Sequence, residues 1–174
     1  MWPILFATSF HPSINAIPLF PKKSVDWIPV DVAARTICEV LLAETTLNPG
    51  NAENKGGHAV HNIVNPNRLP WSSLVSMLQS TKVSIGNAKM EEVTMAEWVG
   101  RLNALAEKGV DPNEVPGLRL LGFFEDMVGD EEESKVFETE KTRGISKNLR
   151  ECEGMKREWI ENNVKVWREC GFLK

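Results

Sequence analysis

A chain of 174 residues, 42% hydrophobic and 25% charged, has the length and composition of one globular domain built on one core. Its formal net charge of -4, with no Lys/Arg run interleaved with aromatics, argues against a nucleic-acid partner. Three cysteines without a CxxC pair give neither a disulfide framework nor a zinc knuckle and fit a reducing cytoplasm, and the lack of any tyrosine excludes chemistry that needs a phenol.

The opening MWPILFATSF is apolar, but no basic residue precedes it and His11-Pro12 end it too early for a signal or membrane-spanning segment. It reads as buried chain. Pro3, Pro12, Pro18, Pro21 and Pro29 make residues 1 to 31 irregular and extended, because each interrupts a helix and forbids a central ladder position. At Asp31 the pattern turns helical. DVAARTICEVLLAE places Val32, Thr36, Ile37, Val40 and Leu41 on one stripe, with Asp31 as the cap and LNPGNAENKGG as the breaker. HAVHNIVN, residues 58–65, carries β-branched Val60, Ile63 and Val64 and predicts a short strand ending at the Asn65-Pro66 turn.

After NPNRLPW, Ser72 caps a predicted helix that runs to about Gln79. A weak strand around Glu91 to Val93 leads into MAEWVGRLNALAEKG, a helix with Trp98, Leu102 and Leu105 on one face and Gly109 as its stop. VPGLRLLGFFEDM predicts a further helix with Leu118, Leu121 and Phe124 on one side, GDEEES a polar loop and KVFET a short extended piece. The chain ends in a long helix carrying Trp159, Asn163 and Trp167 at spacing four, with Gly171 as its C′ residue. Strands so few, so short and so far apart rarely make a stable sheet by themselves.

The chemical constellations reduce mostly to structural roles. His58 and His61 point to opposite faces of a strand and lack a third ligand, so no metal site is expected. No GxSxG accompanies Ser72 and Ser73, and neither GxGxxG nor GxxxxGK[ST] occurs. The cysteines lie in helical patterns and read as packing. Trp27 and Trp71 differ from the other tryptophans in sitting at Pro-containing turns, where ligands are often gripped, although such rings are more commonly core.

Taken in order, VDWIPVDVAA, HNIVNPNRLPW, MAEWVGRL, GLRLLGFFE, VFETEKTRG and WRECGFL resemble the C-terminal region of fungal thioester reductase domains. These terminate nonribosomal-peptide-synthetase-like carboxylic acid reductases and aminoadipate reductases, within the extended short-chain dehydrogenase/reductase superfamily. The resemblance covers nearly all of the chain. It implies an N-terminal Rossmann half that binds NADPH and carries a Thr/Ser, Tyr and Lys, and a C-terminal part that closes over an acyl group on a phosphopantetheine arm. The Gly-rich turn and the Tyr/Lys pair are missing from this sequence, so no catalytic, cofactor-binding or metal residue is expected in it.

The expected fold is α+β and mainly helical: a single partial domain over residues 1–174, the substrate-side portion of an extended short-chain dehydrogenase/reductase fold without its nucleotide-binding half. The expected function is that of a fragment of an NAD(P)H-dependent thioester (carboxylic acid) reductase of secondary metabolism, inactive alone. Trp27, Ile28, Pro29 and Phe123 are the candidate substrate-binding residues. An acyl-phosphopantetheine carrier protein or the N-terminal Rossmann half is the expected partner, with no nucleic acid and no membrane. The alternative is a helical interaction module that docks on a partner reductase or carrier protein without catalysis, using Trp159 and Trp167. Asp26 has no capping role and is left with a loop hydrogen bond.

Overall fold

Pro3 does not keep the amino-terminal segment extended. Trp2–Phe10 forms a helix, α1, because a proline in a first turn gives up only an N–H that has no intrahelical acceptor. The irregular reading of residues 1 to 31 is corrected there, while its burial is as expected: Leu5 to Phe10 are all buried.

The computed structural model describes residues 2–47, 60–80, 90–129 and 132–173. After α1 come β1 (Ala16–Pro18), β2 (Ser24–Val25), α2 (Val30–Leu47), β3 (Leu69–Pro70), α3 (Trp71–Ser80), β4 (Glu91–Val93) and α4 (Met95–Glu107). A 3-10 helix (Pro116–Leu120), α5 (Leu121–Asp126), α6 (Glu140–Ile145), α7 (Lys147–Arg150) and α8 (Arg157–Glu169) complete the chain. These elements form two compact units.

The first unit comprises residues 1–23, 70–133 and 157–174. Its parallel pair β1 and β4 is in register Ala16 to Glu91, Ile17 to Glu92 and Pro18 to Val93. Two tryptophans organise the core. Trp71 stacks on Phe6 at 6.0 Å and meets Phe20 edge-on at 5.0 Å, while its indole N–H donates to the Pro18 carbonyl at 2.9 Å. Trp98 packs edge-on to Phe124 at 5.0 Å and donates to Ser9 Oγ and the Ala16 carbonyl. Trp71 is thus core, with 1% of its surface exposed.

Helix α4 buries Trp98, Leu102 and Leu105 as the spacing predicts, and Gly109 follows it at φ 69°. Thr94 and Glu97 close its first turn as a capping box. Ser72, by contrast, lies inside the first turn of α3 and does not cap it. VPGLRLLGFFEDM is not one helix but two, and of its predicted stripe only Phe124 is buried. The break falls at Leu120, and within the 3-10 helix Gly117 donates its N–H to Thr8 Oγ1 at 2.8 Å; a Cβ there would stand 2.6 Å from the same oxygen. Only glycine lets the 3-10 turn come that close to α1. Helix α8 buries Ile160 and Val164, one residue beyond the predicted Trp159–Asn163 positions, and ends at Gly171 with φ 70°.

The second unit comprises residues 24–69 and 134–156, with α2 packed against α6 and α7. Asp31 is not the cap of α2. The helix begins at Val30, Ala33 N–H donates to the Pro29 carbonyl at 2.9 Å, and Asp31 pairs with Arg35 at 3.3 Å within the first turn. The predicted strand HAVHNIVN begins outside the described residues, and residues 60–65 form no strand. The polar groups described there bond into loops: Asn65 N–H goes to the Asp26 carbonyl at 2.9 Å, and Asn62 Nδ2 to that of Glu138 at 2.9 Å. Among the described residues no helix is long and apolar enough to cross a membrane.

Candidate functional site

The stretch VDWIP leaves β2 at Val25 and reaches α2 at Val30 with no secondary structure of its own, so the Asn65 N–H bond to the Asp26 carbonyl needs side chains beside it. Asn65 itself supplies one. Its Nδ2 donates to the Trp27 carbonyl at 3.1 Å and to the Glu153 carbonyl at 3.0 Å, and its Oδ1 accepts from Asn67 N–H at 2.9 Å. Asn67 Nδ2 extends the tie to the Cys152 carbonyl at 2.7 Å. Asn65 is 1% exposed, so this amide is fully committed to backbone and fixes residues 26–27 against 152–153.

Trp27, Ile28 and Pro29 are held by that clamp as a half-exposed apolar run that continues directly into α2. Helix α2 is divided lengthwise. Thr36 and Val40 face inward, while Val30 (84% exposed), Ala34, Ile37 (47%) and Cys38 face outward, at the spacing of a helical stripe. Leu41, also on that stripe, is 61% exposed. The predicted stripe of Val32, Thr36, Ile37, Val40 and Leu41 is therefore split: Thr36 and Val40 are buried, whereas Ile37 and Leu41 lie on the surface. Cys38, read as packing, is exposed as well.

The inward face carries a polar cluster. The Ser146 hydroxyl donates to the Glu39 carboxylate and accepts from Leu149 N–H at 3.0 Å, capping α7. Asn148 donates to Glu39 through its N–H at 3.2 Å and its Nδ2 at 2.8 Å. The Ser146 hydrogen bond, seconded by those of Asn148, holds the Glu39 carboxyl below the usual glutamate range against the opposing effect of burial. Every group in this cluster serves to fix α7 on α2. Cys152 is buried, and desolvation, with the carboxylates of Glu153 and Asp31 behind it, pushes its thiol up; it is a poor nucleophile in that setting. Among the described residues no three His, Cys, Asp or Glu gather as metal ligands.

Of the four substrate-binding candidates, Trp27, Ile28 and Pro29 lie together in the second unit. Phe123 belongs to the first, on α5, 46% exposed and edge-on to Phe124 at 5.7 Å. Sequence reasoning missed the Asn65 and Asn67 clamp, because Asn-Pro-Asn reads as a turn whether or not its amides have distant partners. It also missed Glu39, whose partner is more than a hundred residues away.

No protein-family model matches the chain, and no solved structure matches it. Its relatives are fungal polyketide synthases. The chain is 26% identical over 162 residues to the citrinin polyketide synthase of Monascus ruber, covering 92% of this chain and 6% of that protein. It is 27% identical over 177 residues to a non-reducing polyketide synthase of Didymella fabae (98% and 6%) and 24% identical over 150 residues to the 3-methylorcinaldehyde synthase of Talaromyces stipitatus (86% and 5%). The chain thus spans about one-twentieth of the length of the curated relatives it matches. These relatives overturn the resemblance drawn from the sequence. These relatives are named polyketide synthases and not thioester reductases, so the reading as a fragment of an NAD(P)H-dependent thioester (carboxylic acid) reductase does not hold.

Proposed function

We propose that this chain is a docking module of the fungal polyketide-synthase kind, which binds a phosphopantetheine-bearing acyl-carrier domain through the second unit. The observation that carries the reading is the outward stripe of α2. Val30, Ala34, Ile37 and Cys38 continue the half-exposed Trp27, Ile28 and Pro29, so one element presents apolar side chains on its outer face while its inner face is occupied by the Glu39 and Ser146 cluster. The relatives support this choice of occupant, since they are named as polyketide synthases and a carrier-borne acyl chain is compatible with that name. A loaded carrier arm presents the carbon chain of its acyl thioester, to whose apolar portion such a stripe is complementary.

Isothermal titration of the chain with a fungal acyl-carrier domain, in its acyl-phosphopantetheinylated and its unmodified forms, tests this. The reading expects saturable binding of the modified form, weak as suits a transient contact, on the order of 10–100 μM. No heat with either form contradicts it.

A further inference from the structure

The first unit holds a cavity that takes no part in that docking. It has a volume of about 590 Å³, within the range of small-molecule sites, and lies between the end of α1, the turn before the 3-10 helix and the residues after α8. Its apolar walls include Phe10, Pro116, Phe172 and Leu173. Two nitrogen donors share the lining. His11 Nδ1 accepts from Ser13 N–H at 3.2 Å, which leaves Nε2 as the donor of the neutral ring. Arg119 is steadied by a hydrogen bond to Asn113 Oδ1, and Asn113 is in turn pinned through its N–H and Nδ2 to Asp111 Oδ1 at 2.8 and 2.9 Å. The guanidinium keeps further N–H donors beyond the one given to Asn113.

We propose that this cavity binds a small monocarboxylate with an apolar aromatic or branched body. The guanidinium and the imidazole N–H are the donors for the carboxylate, and Phe10, Phe172 and Leu173 receive the body. The same lining disfavours polyanions, because among its described residues Arg119 is the one Arg or Lys and Glu114 adds a carboxylate-bearing residue. A phosphate would set more than one negative charge against a single guanidinium, whereas a monocarboxylate matches that one cation and leaves its body to the apolar walls.

The test uses benzoate as the probe and inorganic phosphate as the control, followed by ligand-observed NMR and by tryptophan fluorescence. Trp167 serves as reporter because its ring lies 6.3 Å from that of Phe172. Benzoate is expected to bind saturably and phosphate not at all. Arg119→Met, at an exposed position that leaves the core intact, is expected to weaken benzoate at least about tenfold, the loss of one charge-assisted hydrogen bond, and Phe172→Ala to weaken it without changing the preference over phosphate. Absence of saturable benzoate binding, equal binding of phosphate, or benzoate affinity unchanged in Arg119→Met overturns the proposal. None of these outcomes depends on carrier docking.

Discussion

Asn65 holds the carbonyl of Trp27: one hydrogen of its side-chain amide goes to that oxygen at 3.1 Å and the other to the Glu153 carbonyl at 3.0 Å. The relationship fixes an irregular stretch that has no ladder of its own. Asn65→Asp keeps the volume and the acceptor for Asn67 N–H, but it replaces two donors by a carboxylate facing two carbonyls. We expect it to cost about 3 kcal/mol, more than Asn65→Ala, because a buried carboxylate set against two carbonyls, with only the Asn67 N–H for it, costs more than the loss of the hydrogen bonds alone. Urea unfolding of the two variants checks the order. Asn65→Ala being the worse of the two would mean that packing, and not the amide donors, sets the clamp.

Glu39 ties stability to pH. Its carboxyl is held below the usual range by Ser146 and then Asn148, so the folded state releases this proton more readily than the unfolded chain. The contribution is complete above the ordinary glutamate range and fades as pH falls through that range toward the lowered folded value. Thermal unfolding between about pH 6 and about pH 3 is expected to show a steeper loss for the wild type than for Glu39→Gln, which cannot titrate. Parallel pH profiles would remove Glu39 from the account.

Gly117 and Thr8 form a testable pair in the first unit. Gly117→Ala drives a Cβ to 2.6 Å from Thr8 Oγ1 and 2.8 Å from its Cγ2, and Thr8 is fully buried, so it has no free rotamer to escape into. We expect a loss of about 2 kcal/mol, typical of overpacking. Thr8→Ala removes both colliding atoms, and the double variant is expected to be more stable than the sum of the single losses allows. Strict additivity in a double-mutant cycle would show that the approach of the 3-10 turn is not what Gly117 is needed for.

What could be read in the sequence was local. The α4 stripe of Trp98, Leu102 and Leu105, its stop at Gly109, strand Glu91–Val93 and the Gly171 terminus all follow from spacing and backbone chemistry within a few residues. The misreadings share a different origin. Pro3 reads as a helix breaker by residue type, yet its place in a first turn makes it harmless. Val60, Ile63 and Val64 have strand propensity, but the asparagines beside them bond to distant backbone, which propensity does not encode. In α2 the apolar residues occur on both faces, so periodicity alone could not say that Ile37 and Leu41 would be outside and that Thr36, a polar residue, would be fully buried. The candidate site was legible as VDWIP and the start of α2; its clamp was not, because both Glu153 and Cys152 come from the far end of the unit's sequence.

The central claim is that the outward stripe of α2 receives a carrier domain. The direct measurement is an NMR titration of an isotope-labelled, acyl-phosphopantetheinylated fungal acyl-carrier domain with the wild-type chain and with Ile37→Asp. Ile37 is 47% exposed, so the substitution is expected to change stability by no more than about 0.5 kcal/mol while weakening binding at least about tenfold. Carrier resonances that shift equally with both proteins, or with neither, contradict the claim.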